Sequence, residues 1–169
     1  DKVYHCDRGL TPKQFLDKYV GSDFDDYAVI IASPIHAVNR TYCQPFMGDV
    51  VEDGMFWLNL SQEELEDLTI RQLQAGEGVM FSCDCHPDGD RANGYWDPDC
   101  FQYGEVLGGL TFGMTKSERL LTRDSTMNHC MMFCGVNLDE NGTANRWKIE
   151  NSWGEESGQK GYYLSLIHI

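Results

Sequence analysis

The chain has 169 residues, 41% of them hydrophobic and 24% charged, which is enough apolar material for one domain with a real core or for a piece of a larger one. A formal net charge of −14 repels phosphate backbones and anionic lipid and so argues against nucleic-acid and membrane-surface partners. The sequence holds no long apolar span and no signal-peptide pattern.

In chain order, Thr11-Pro12 places a capping hydroxyl before a proline at the first helical position. Phe15, Leu16 and Tyr19 then give an apolar face that stops at Gly21, so one short helix is expected. Tyr27 to Ala32 and Met55 to Leu60 read as strands separated by a Gly/Pro/Asp-containing connection. Ser61-Gln62-Glu63-Glu64 fits a capping box, and Leu65, Leu68, Gln72 and Leu73 continue at helical spacing to Gly76. Val79 to Cys83 reads as a buried strand. Cys85 to Tyr103, rich in Asp, Gly and Pro, reads as a long surface loop. Thr115-Lys116-Ser117-Glu118 is a second capping box and opens another short helix. Met131 to Val136 and Arg146 to Ile149 then flank Asp139-Glu140-Asn141-Gly142-Thr143 as the arms of a β-hairpin. Helices followed by antiparallel strands point to an α+β fold.

The hairpin carries the chemistry. His129 opens its first arm, with Met131 and Phe133 on one face and Cys130, Met132 and Cys134 on the other. Asn151 follows its second arm, in Asn151-Ser152-Trp153-Gly154. If the turn centres near Asn141-Gly142, the two residues fall at the same open end, a few positions off register, which a bulge or loose loop absorbs. A catalytic imidazole needs a partner that fixes its tautomer, and an amide oxygen serves that purpose without the charge of a carboxylate. Trp153 beside such a contact shields it from water.

The seven cysteines are odd in number and irregularly spaced, as expected of free thiols in a reducing compartment. Cys83-Asp84-Cys85-His86 has one residue between its cysteines where structural zinc prefers two, and Cys130 and Cys134 match a second pair by count alone. Buried or loop thiols are therefore the reading, with no metal and no cofactor. The tripeptides Asn39-Arg40-Thr41, Asn59-Leu60-Ser61 and Asn141-Gly142-Thr143 are glycosylation sequons that also arise by chance.

With these motifs in view, the run from about Leu10 to Tyr163 resembles the C-terminal portion of the bleomycin hydrolase / aminopeptidase C family of papain-like cysteine peptidases. The matching stretches include Gly76 to Asp84, Met114 to Leu120, Met127 to Met131 and Trp147 to Gly154. Asn-Ser-Trp-Gly is shared by papain-like enzymes broadly, whereas Lys116 to Leu120 and Cys83-Asp84 favour the cytosolic branch. The resemblance implies the β-rich part of that fold, with antiparallel sheet and short helices, and catalytic roles for His129 and Asn151. It places Thr-His-Ala where this chain has Asn128-His129-Cys130. It also places the nucleophilic cysteine in Gln-x-Gly-x-Cys-Trp, which this chain lacks, so nucleophile and oxyanion-hole glutamine are expected outside it.

What the resemblance implies for the parent is a cytoplasmic thiol aminopeptidase acting on peptide N-termini, assembled as a homo-hexamer, while the charge of this chain leaves neither nucleic acid nor membrane as its expected partner. The chain by itself is expected to be inactive. A catalytically silent binding or scaffold protein and a secreted cathepsin-like endopeptidase stay open as alternatives. Gly161-Tyr162-Tyr163 agrees with the family, but Leu164 to Ile169 does not continue it and equals the translation of a common sequencing adapter. Residues 1–163 are therefore read as the peptidase portion and 164–169 as a non-native tail with few packing contacts.

Overall fold

The computed structural model describes residues 3–21, 26–44, 55–85 and 89–166. The chain divides into two compact units, Asp1–Ile30 with Thr41–Leu58, and Ile31–Arg40 with Asn59–Ile169. In the first, Thr11 Oγ1 accepts from Gln14 N at 3.3 Å while Gln14 Oε1 accepts from Thr11 N at 2.8 Å, a reciprocal cap that opens α1 (Pro12–Phe15). The helix widens into a π-helical turn, Leu16–Val20, and stops at Gly21, whose φ of 83° favours glycine.

A three-stranded sheet has the order β1-β3-β2. The strand expected over Tyr27 to Ala32 contracts to β1 (Ile30–Ile31), and β3 (Met55–Asn59) forms where expected. Between them β2 (Arg40–Gln44) forms in the stretch read as connection, since Arg-Thr-Tyr-Cys-Gln shows too little apolar alternation to announce a strand. Asn59 is fully buried, and its amide donates to Ser33 O at 3.2 Å, His36 O at 3.1 Å and Ala37 O at 3.3 Å. That sequon is closed to glycosylation in the folded chain.

In the second unit both capping boxes form. Ser61 with Glu64 opens α2 (Gln62–Gln74), which Gly76 ends at φ 88°, and Thr115 with Glu118 opens α4 (Lys116–Thr122). The inward face of α2 sits one position from the expected one: Leu68 is 41% exposed, whereas Thr69 is 6% exposed. Ile70 and Leu73 supply the packing against the core.

Six strands make the main sheet, in the order β4-β7-β8-β9-β6-β5. They are β4 (Val79–Cys83), β5 (Gly89–Asp90), β6 (Tyr95–Trp96), β7 (His129–Leu138), β8 (Ala144–Glu150) and β9 (Tyr162–Ser165). All neighbours run antiparallel except β6 and β9. Alternation along β7 buries Met131 and Phe133 and leaves Cys130, Met132 and Cys134 exposed. Phe133 stacks on Phe81 at 3.7 Å and meets Trp147 at 5.1 Å, while Ile149 and Tyr163 continue the core.

Part of the expected surface loop is structural. Cys85 and Trp96 are core residues, joined where Trp96 Nε1 donates to Cys85 O at 3.0 Å, and the segment goes on to α3 (Tyr103–Val106). Strands as short as β5 and β6 leave no periodic signal, and sheet pairing overrides the local turn composition. His86 lies outside the described residues, as do Ile167 to Ile169. The expected boundary after Tyr163 falls inside β9, where Leu164 and Ser165 pair with Lys148 and Trp147 and, on the other edge, with Tyr95 and Trp96. Ladder bonds are made by backbone groups and accept many side chains.

Candidate active site

The hairpin end gathers the two expected residues. Asp139 Oδ1 accepts from Asn141 N at 2.9 Å and Thr143 N at 2.8 Å, and Gly142 takes φ 83°, which fixes the turn. Met132 pairs with Glu150 and Phe133 with Ile149. Register then shifts between Phe133 and Gly135 and again between Asn137 and Leu138, the irregularity that brings the strand ends into place. His129 at the start of β7 pairs with Cys83 at the end of β4, and Asn151 is held beside β9 by its N–H to Gly161 O at 3.0 Å.

His129 Nε2 lies 2.8 Å from Asn151 Oδ1, and Ser152 N donates to the same oxygen at 2.8 Å. The second contact decides the first. A backbone N–H can only donate, so the amide presents oxygen there, and the ring nitrogen facing that oxygen carries the proton. In the neutral ring Nδ1 is then the unprotonated nitrogen, with a lone pair available to take a proton. Asn151 Nδ2 is buried and makes no hydrogen bond among the described residues.

Trp153 stacks on His129 with ring centroids 4.9 Å apart and 20° between planes, and it touches Tyr163 edge-on at 5.7 Å. The Arg91 guanidinium lies 4.4 Å from the Trp153 ring centroid, a cation–π contact from the segment read as surface loop. Trp96 meets Trp153 at 6.2 Å and Tyr163 at 4.4 Å. Neither Arg91 nor Trp96 was expected at the site. For Trp96 the signal is the adjacent aromatic pair Tyr95-Trp96 inside a Gly- and Asp-rich stretch, whereas Arg91 carries none.

Burial pushes the Cys83 thiol up to about 12, with Cys85, Asp84 and Cys130 adding to the rise, and burial also raises Cys85 and Cys134. Cys130 follows His129 on β7, so its side chain projects from the opposite face of the strand. The site offers an oriented imidazole, an amide that holds it and an aromatic cover. Among the described residues no cluster of His, Cys, Asp and Glu fit to hold a metal ion is found.

The model of the Peptidase C1-like family matches residues 1–166. Aminopeptidase W of Lactobacillus delbrueckii subsp. lactis is 40% identical over 165 residues, covering 96% of this chain and 37% of that protein. Aminopeptidase C of Lactococcus lactis subsp. cremoris is 37% identical over 158 residues, covering 92% of this chain and 36% of that protein. The crystal structure of PepW from Lactobacillus rhamnosis HN001 superposes with a TM-score of 0.86 at 40% identity, covering 98% of this chain and 37% of that one. The chain thus spans little more than a third of the length of these relatives, and its fold is a β-rich α+β portion of theirs.

Proposed function

The chain belongs to the Peptidase C1-like family, and we propose that its parent is a cysteine aminopeptidase in which His129 and Asn151 complete a Cys-His-Asn triad. The observation that carries this reading is the Asn151 oxygen, held by Ser152 N–H at 2.8 Å and meeting His129 Nε2 at 2.8 Å. A nucleophilic thiol from the rest of the parent gives its proton to Nδ1 and attacks the peptide carbonyl carbon as thiolate. His129 returns that proton to the leaving amine. A water then hydrolyses the thioester, losing its proton to the same ring. Asn151 keeps the ring in one tautomer and orientation throughout, and Trp153 keeps water from the contact.

The aminopeptidase part of the proposal draws on the names of the relatives. Its further reach, to a cytoplasmic homo-hexamer acting on peptides without nucleic acid or membrane partners, draws on the family resemblance and the net charge of −14. Among the described residues no helix is long and apolar enough to cross a membrane. Val106, Leu107, Leu110, Phe112, Leu121 and Met127 are each more than half exposed, which supports further chain of the parent covering that region.

The test compares the 169-residue chain with the complete reading frame on an aminoacyl fluorogenic substrate. The complete protein should hydrolyse it and lose that activity to iodoacetamide, while the chain alone should be inert. Alkylator-sensitive hydrolysis by the chain alone would overturn the placement of the nucleophile outside it.

A further inference from the structure

At the residue before His129 the chain departs from the pattern it otherwise resembles, with Asn128 where that pattern has threonine. The Asn128 amide is engaged on both sides. Its Oδ1 accepts from Cys85 N at 3.2 Å and Cys85 Sγ at 3.4 Å, and its Nδ2 donates to Asp84 Oδ1 at 2.5 Å. Its backbone N–H donates to Cys83 O at 3.1 Å. A carboxamide holds its acceptor and its donor on two separate atoms of one rigid planar group, whereas a threonine hydroxyl has a single oxygen for both.

These bonds close a circuit around the imidazole. Cys85, 4% exposed, receives Trp96 Nε1 on its carbonyl at 3.0 Å. Trp96 meets Trp153 at 6.2 Å, and Trp153 stacks on His129 at 4.9 Å. His129 is bonded covalently to Asn128, whose amide returns to Cys85. The amide thus adds side-chain ties between the Asp84–Cys85 exit of β4 and the root of His129 to the backbone bond from Asn128 N to Cys83 O.

We propose that Asn128 is a positioning residue: its carboxamide clamps the exit of β4 to the root of His129 and thereby holds the imidazole in place against Asn151 and Trp153. Its importance for turnover rests on the reading of His129 as general base, but the clamp itself is a property of this chain. The like-charge consequence is specific. In Asn128→Asp an ionised carboxylate faces Asp84 across the 2.5 Å contact. Two such groups share one proton when the pH is low enough and repel when it is not.

The experiment is NMR on the chain with the His129 ring labelled, following the exchange of Nε2–H and of the Cys85 amide in wild type, Asn128→Thr, Asn128→Ala and Asn128→Asp. Threonine and alanine should each speed exchange of both protons by about tenfold, the scale of one lost hydrogen bond. Asn128→Asp should resemble alanine at neutral pH and return toward wild type as the pH falls and the two carboxyls come to share a proton. A slow His129 Nε2–H in the threonine and alanine variants beside a fast Cys85 amide would show a local tie with no positioning role. If the alanine variant does not fold, the aspartate series decides, and a ratio of its exchange rates to those of wild type that does not change with pH would overturn the proposal. A parent without thiol peptidase activity would leave all these signals as they are, so the two readings fail separately.

Discussion

Trp153 lies nearly flat on His129, with centroids 4.9 Å apart and 20° between planes, while Arg91 sits 4.4 Å from the indole centroid. The stack lowers the local dielectric around the Nε2–Asn151 bond and so strengthens it. Trp153→Phe should keep a ring there and most of the effect. Trp153→Ala in the complete enzyme should lower kcat/KM by about tenfold, equal to about 1.4 kcal/mol. Equal kcat/KM for wild type and the alanine variant would show that the cover contributes nothing.

Cys83 should behave as an inert thiol. Its pKa in the folded chain is raised from 9.0 to about 12, chiefly by burial, so the folded state favours the protonated form. The contribution to stability is complete below pH 9 and is lost as the pH rises from there toward about 12. Mass-spectrometric mapping of iodoacetamide labelling at pH 8 should find Cys83 modified about a thousandfold more slowly than a free cysteine. Rapid labelling under folded conditions would contradict the burial.

The proposal that Leu164 to Ile169 is a non-native tail separates into two measurements. Truncation after Tyr163 removes ladder bonds from Leu164 N to Gly94 O and Leu166 N to Trp96 O, each 2.9 Å, and should cost about 1–3 kcal/mol in urea unfolding. Replacing the side chains of Leu164 and Leu166 with alanine keeps those bonds and should cost less than about 1 kcal/mol if they are not selected for packing. A loss above about 2 kcal/mol from the alanine replacements would make the segment part of the evolved fold.

Much of the framework was legible because its signals are local. Ser61 and Thr115 announce their helices through side chains that reach only three residues along. The β7–β8 hairpin is announced by two strand-like runs around an Asn-Gly turn, and its paired arms, with two register shifts, set His129 and Asn151 at one end of the sheet. What was not legible depends on distant partners. Trp96 belongs to the core because β6 adds to β9, sixty-odd residues away, and nothing in Asp90 to Pro98 signals that pairing. Arg91 and Asn128 matter through contacts with Trp153 and with Asp84 and Cys85, which adjacent sequence cannot disclose. The offset between Leu68 and Thr69 has the same origin, since helical spacing gives a stripe but the packed neighbour selects its edge.

The central claim is that His129 is the general base and Asn151 its orienting partner, and kcat/KM of the complete enzyme carrying His129→Ala or Asn151→Ala tests it most directly. His129→Ala should lower kcat/KM by at least about a thousandfold, since proton removal and proton return are both lost. Asn151→Ala should lower it by about ten- to a hundredfold, because the ring survives and only its orientation is degraded. Wild-type turnover in His129→Ala, with the fold intact, would contradict the account.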